Sequence, residues 1–86
     1  MDAQEALAQI RGLAAAGRYI LKSHARDRMR ERGAQPGDVR QALIDAAKCV
    51  WQPDRYNWRV TGPDLEGDDL TLAVEIEENV IVVTVF

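Results

Sequence analysis

The chain has 86 residues, enough for one domain with a thin core. Apolar residues make up 47% of it, with twelve Ala beside eight Val, seven Leu and five Ile, a globular composition and not a disordered one. The net charge is −3, which disfavours long-range attraction to nucleic acid, so any RNA binding must use a local patch. No apolar run approaches the ~18 residues of a bilayer span. The opening Met1-Asp2-Ala3-Gln4-Glu5 has no positive stretch leading into an apolar block, so no secretory signal is expected and the predicted location is cytoplasmic. One Cys (Cys49) and one His (His24) are too few for a disulfide or a zinc site, so no metal and no cofactor are expected.

In chain order, Asp2 is placed to cap a first helix with Leu7, Ile10, Leu13 and Ala14 at helical spacing and Gly17 as its stop. Tyr19-Ile20-Leu21-Lys22 reads as a short strand. Ser23 is the expected N-cap of a second helix, His24 to Arg32, closed by Gly33. Pro36 suits the first position of a third helix, with Val39, Ala42, Leu43 and Ala46 inward, ending near Lys48. Four strands follow: Cys49 to Gln52, Tyr56 to Thr61, Leu70 to Glu77 and Val80 to Phe86, the last apolar enough to be covered on both sides. Pro53-Asp54-Arg55 and residues 62–68 are turn and loop chemistry. The predicted fold is a single α+β domain over residues 1–86. It is a small antiparallel sheet of about four strands plus a short N-terminal strand, with three helices mainly on one face.

A two-residue turn at Glu78-Asn79 would pair Glu77 with Val80, Glu75 with Val82 and Ala73 with Thr84. Leu72, Val74, Ile76, Ile81, Val83 and Val85 would then face the core, joined by Trp58 and Val60. Arg59, Thr61, Thr71, Ala73, Glu75, Val82, Thr84 and Phe86 would face away, on either a catalytic surface or a solvated one. The last strand could also pair with another chain, as in a homo-oligomer.

Charge is divided along the chain. Residues 11–32 hold seven bases and two acids; residues 62–79 hold seven acids and no base. The basic segment contains Ser23-His24-Ala25-Arg26-Asp27-Arg28-Met29-Arg30-Glu31-Arg32-Gly33. On a helix His24, Arg28 and Arg32 stand in one row, beside the apolar row of Ala25 and Met29. Metal-free RNA cleavage needs a proton donor or acceptor working near neutral pH and cations that hold phosphate oxygens. A histidine with two arginines supplies both. The alternative is that these side chains cap the helix or pair with the chain's own carboxylates. Arg55, Tyr56, Trp58 and Arg59 mix cations with aromatic faces suited to base stacking, with Trp58 assigned to the core. Cys49 reads as a small buried hydrophobe.

The string Ser23-His24-Ala25-x-x-Arg28-Met29-x-Glu31-Arg32-Gly33, with Pro36-x-Asp38-Val39-x-x-Ala42-Leu43 after it, resembles the opening of a small bacterial family, domain of unknown function forty-two fifty-eight. Arg59-Val60-Thr61-Gly62, Leu70-Thr71 and Ile81-Val82-Val83-Thr84-Val85 extend the likeness, which covers residues 19–86; residues 1–18 look like an added helix. That family is related to the MqsR and RelE toxins. The resemblance implies a RelE-like fold and a type II toxin that cuts mRNA, with a zinc-finger antitoxin of the MqsA type as partner. Carried across, the matches are His24, Arg28, Arg32 and Thr84, with Arg59 and Thr61. His24, Arg28 and Arg32 would be catalytic and the others would contact substrate, and Tyr56 joins them as the base-stacking candidate read from its own segment. The acidic pI of about 5.0 keeps open a non-catalytic RNA- or protein-binding module, or a degenerate toxin that only binds its antitoxin.

Overall fold

The computed structural model describes residues 1–86. Helix α1 (Ala3–Ala15) is capped by Asp2, whose Oδ1 accepts the Glu5 N–H at 2.8 Å. Its fully buried line is Ala6, Ile10 and Ala14, one residue per turn, with Leu7 and Leu13 half-buried on either side. Small residues in that line let α1 lie close against the rest of the domain. Helix α2 (Ser23–Arg32) ends at Gly33 in the left-handed region, φ 71°. Ser23 is not its cap: it is already the first helical residue, and Lys22 precedes it with no side-chain cap bond. Helix α3 (Pro36–Ile44) has Pro36 in its first turn, and the Asp38 carboxylate reaches back to accept the Gln35 N–H. It ends four residues earlier than the expected Lys48. The chain leaves the helix at Ala46, whose carbonyl accepts from the Arg11 guanidinium, and the Ala47 N–H donates to Thr61 O at 2.8 Å.

The strands are β1 (Tyr19–Leu21), β2 (Lys48–Gln52), β3 (Asn57–Pro63), β4 (Asp69–Ile76) and β5 (Val80–Val85). They form one sheet in the order β1-β5-β4-β3-β2, with β1 parallel to β5 and the other pairs antiparallel. The architecture is the expected α+β, three helices and five strands. Side chains from all three helices and one side of the sheet share a single core cluster. α1 and α3 cover β2 to β4, and α2 lies against β5. One expectation for the last strand fails: β5 is buried on one face only. It lies between β1 and β4, and its residues beyond Val82 run past the end of β1. No helix is long and apolar enough to cross a membrane.

The β4–β5 register also differs from the expected one. Ile76 pairs with Val80, so the turn has three residues, Glu77 to Asn79, and Glu75 meets Ile81 instead of Val82. The offset is then cancelled. Val74 pairs with Val82 but Ala73 with Thr84, leaving Val83 as an extra residue in a β-bulge. Val80, Val82 and Val85 are therefore fully buried, while Ile81 and Val83, expected in the core, are only half-buried. Beyond the bulge the expected pairing of Ala73 with Thr84 holds.

Asp38 links α3 to the β3–β4 loop. Its carboxylate accepts the Gln35 N–H at 2.8 Å and the Leu65 N–H at 3.0 Å. These two backbone donors, Gln35 foremost, hold its pKa below the ordinary carboxylate value. A lowered folded-state pKa gives stability that is present above the unfolded value and lost as pH falls through the folded one. Melting temperature should therefore drop more on acidification in the wild type than in Asp38→Asn. Equal slopes would remove Asp38 from the acid response.

Candidate functional site

Helix α2 is held by Ala25 and Met29, both buried, so the neighbouring row of His24, Arg28 and Arg32 borders the core. The three members meet different surroundings. His24 lies in the first turn, exposed and in no hydrogen bond with the chain. With Lys22 making no side-chain cap, the first N–H groups of α2 stay open beside it.

Arg28 is fixed at two points. Its Nε–H donates to the Val85 carbonyl at 3.2 Å, where β5 runs on beyond β1, and one terminal nitrogen donates to Glu31 at 2.8 Å. A guanidinium carries five N–H donors, so three remain free. The side chain is 38% exposed and the Glu31 side chain 60%, so solvent screens the pair and an anion can compete for it. Arg32 lines a cleft of about 200 Å³ together with Asp38, Asp64, Glu66 and Asp69. An anion entering there would meet four carboxylates, so Arg32 is the row member least suited to phosphate. Two further α2 bases are engaged: Arg30 with Asp27 at 2.9 Å, and Arg26 with the Leu21 carbonyl at 3.3 Å.

The sheet face turned away from α1 and α3 carries the second group of expected residues. Arg59, Ala73 and Thr84 form one cross-strand row. Thr61 and Thr71 form the next, their hydroxyls 3.0 Å apart, and the Phe86 N–H continues it by donating to Thr71 O at 2.9 Å. The Arg59 guanidinium stands 4.7 Å above the centre of the Phe86 ring. Ala73, between Arg59 and Thr84 in the row, is 1% exposed. Arg28 reaches the same end of β5 through Val85. The structure thus brings Arg28, Arg59, Thr84 and the Thr61–Thr71 pair to one region. Sequence reasoning placed Phe86 and Arg59 on this face but missed their contact, because it depends on where two side chains from separate strands reach, which periodicity does not give.

Tyr56 is elsewhere. It is not the start of β3 but the last residue of the β2–β3 turn, 79% exposed and at φ 54°, an unusual backbone state for an aromatic residue. Its ring is 5.9 Å from that of Trp51, which is 5.0 Å from Trp58. The three border an apolar cavity of about 860 Å³ beside Met1 and Cys49, separate from the Arg59 row. Trp58 is 8% exposed, in the core as expected. Burial pushes the Cys49 thiol up to about 11, which keeps it neutral near pH 8. Its alkylation at pH 8 should run at least about tenfold slower than that of free cysteine; an equal rate would show a more open thiol. No three His, Cys, Asp or Glu side chains converge as metal ligands.

No family model, curated protein or solved structure matches this chain.

Proposed function

We propose that this protein is a metal-independent endoribonuclease of the type II toxin kind, acting on mRNA and restrained by an antitoxin. The observation that carries the reading is an exposed, unengaged imidazole one helical turn from an arginine that is anchored yet keeps three donors free. In the reaction the substrate's 2′-oxygen attacks the adjacent phosphorus and the bond from phosphorus to the 5′-oxygen breaks. The products are a 2′,3′-cyclic phosphate and a 5′-hydroxyl. His24 moves a proton at the 2′-hydroxyl or at the leaving oxygen, and water exchanges the other. Arg28 and Arg59 supply positive charge for the phosphorane-like transition state. Thr84, two strands from Arg59, and the Thr61 hydroxyl offer neutral hydrogen bonds to the ribose–phosphate chain. The likeness of the His24–Gly33 string to a toxin-related family adds to this reading.

A second reading, a module that binds RNA or protein without cutting, is favoured by one contact. The Arg28–Glu31 pair neutralises part of the charge a nuclease would direct at phosphate. Expression of the wild type and His24→Ala in a bacterial host separates the two. The nuclease reading expects growth arrest and new RNA ends with 5′-hydroxyls from the wild type alone. Equal behaviour of the two proteins would leave only binding.

A further inference from the structure

The bulge in β5 changes which side chains reach the outer sheet face. In an unbroken strand, the alternation that buries Val80 and Val82 would also turn Thr84 and Phe86 inward. The extra residue at Val83 reverses this: Val85 is fully buried, and Phe86 lies outward over the Thr71 row. Its ring there meets the Arg59 guanidinium at 4.7 Å. The neighbouring Val85 carbonyl holds Arg28 Nε. The last two residues therefore touch two arginines from separate elements, α2 and β3.

We propose that Phe86 is a positioning residue for Arg59, holding its guanidinium flat against the sheet so that it offers its N–H donors to an RNA phosphate beside Arg28. The inference rests on the RNA reading above and names the sheet face, with α2, as the floor of the backbone-binding site. The physics is that of a cation on a ring face. The ring restricts a long, exposed side chain without using any of its hydrogen-bond donors. Ala73 at the centre of the row leaves room for Arg59 to cross towards β5; a larger residue there would block the path.

The test is binding of a fluorescein-labelled, single-stranded, 2′-O-methyl RNA of mixed sequence, which cannot be cleaved through its 2′-oxygen. Anisotropy is followed over a range of salt concentrations with the full chain. Phe86→Leu should weaken binding about threefold, the size expected for a partly exposed cation–π contact. Arg59→Ala should weaken it at least as much and lower the salt slope by about one. The double variant should bind no more weakly than Arg59→Ala alone, and Phe86→Tyr should bind as the wild type does. Arg59→Lys keeps the charge but loses the planar stack, and should resemble Phe86→Leu; it decides the matter if the Leu variant fails to fold. Wild-type affinity in Phe86→Leu, or in Arg59→Lys where the Leu variant does not fold, overturns the proposal. So does an undiminished Phe86→Leu effect in the Arg59→Ala background. Wild-type protein that binds this RNA but leaves unmodified RNA intact defeats the nuclease reading and leaves the coupling standing. No binding by the wild type defeats both.

Discussion

Replacing His24 with Ala should lower RNA cleavage by about 10²- to 10⁴-fold, the usual contribution of a positioned proton-transfer group. RNA affinity should change little, because the proposed mechanism assigns the phosphate contacts to Arg28 and Arg59. Stability should also stay within about 0.5 kcal/mol, since the side chain is exposed and makes no hydrogen bond with the chain. That separation gives the experiment its force: chemistry lost, fold and binding kept. Arg28→Ala should behave differently. It removes the proposed phosphate contact and also leaves the Val85 carbonyl without its Nε partner, so binding and stability should fall together. If His24→Ala cuts RNA at the wild-type rate, the proton transfer belongs to another group or does not occur.

The largest stability effect should come from Gly62→Ala. Gly62 is buried in β3, opposite Leu70, where α3 crosses the sheet. A Cβ added there would sit 2.1 Å from the Ala42 carbonyl oxygen, 2.9 Å from its carbon and 3.0 Å from its Cα. All three are backbone atoms of a helix, so no side-chain rotation relieves the clash and α3 must move off the sheet. Overpacking commonly costs about 1–3 kcal/mol, and a rigid backbone contact belongs above that range, about 3–5 kcal/mol. Small domains hold roughly 5–15 kcal/mol in all, so much of the reserve would be lost. Urea unfolding checks this, with Gly12→Ala as the control. Gly12 lies in α1 with nothing within 4 Å of its added Cβ, and alanine there should stabilise by about 0.5–1 kcal/mol. A Gly62→Ala protein as stable as the wild type would mean that α3 is not seated on β3 as described.

Only the first of these predictions falls on a residue that stood out before the fold was known. His24 was legible because helical periodicity depends on local backbone geometry: once Gly33 ends the helix and Ala25 and Met29 mark its inner row, the row of His24, Arg28 and Arg32 follows. Gly62 was read as the first residue of a loop, whereas β3 continues through it to Pro63. The close approach of α3 that requires it is a contact between residues twenty apart. Arg32 shows the limit from the other side. Its row was correctly placed, but the acidic cleft around it is built by Asp64, Glu66 and Asp69 from distant loops and strands. Ser23 was assigned to the cap because its chemistry suits that place; the helix starts one residue earlier, after Lys22, whose N–H donates to the Val82 carbonyl.

Local order along this chain thus determined the three helices, the five strands, the split of charge and the exposed histidine in a basic helix, since each depends on neighbours a few residues away. Tertiary structure alone decided the rest. It supplied the three-residue turn at Glu77–Asn79 and the compensating bulge at Val83. It also set the contact between the Phe86 ring and the Arg59 guanidinium and the anchoring of Arg28 on Val85. A one-residue shift in pairing exchanges the faces of a strand at almost no cost in local energy. Only packing against the helices chooses between them.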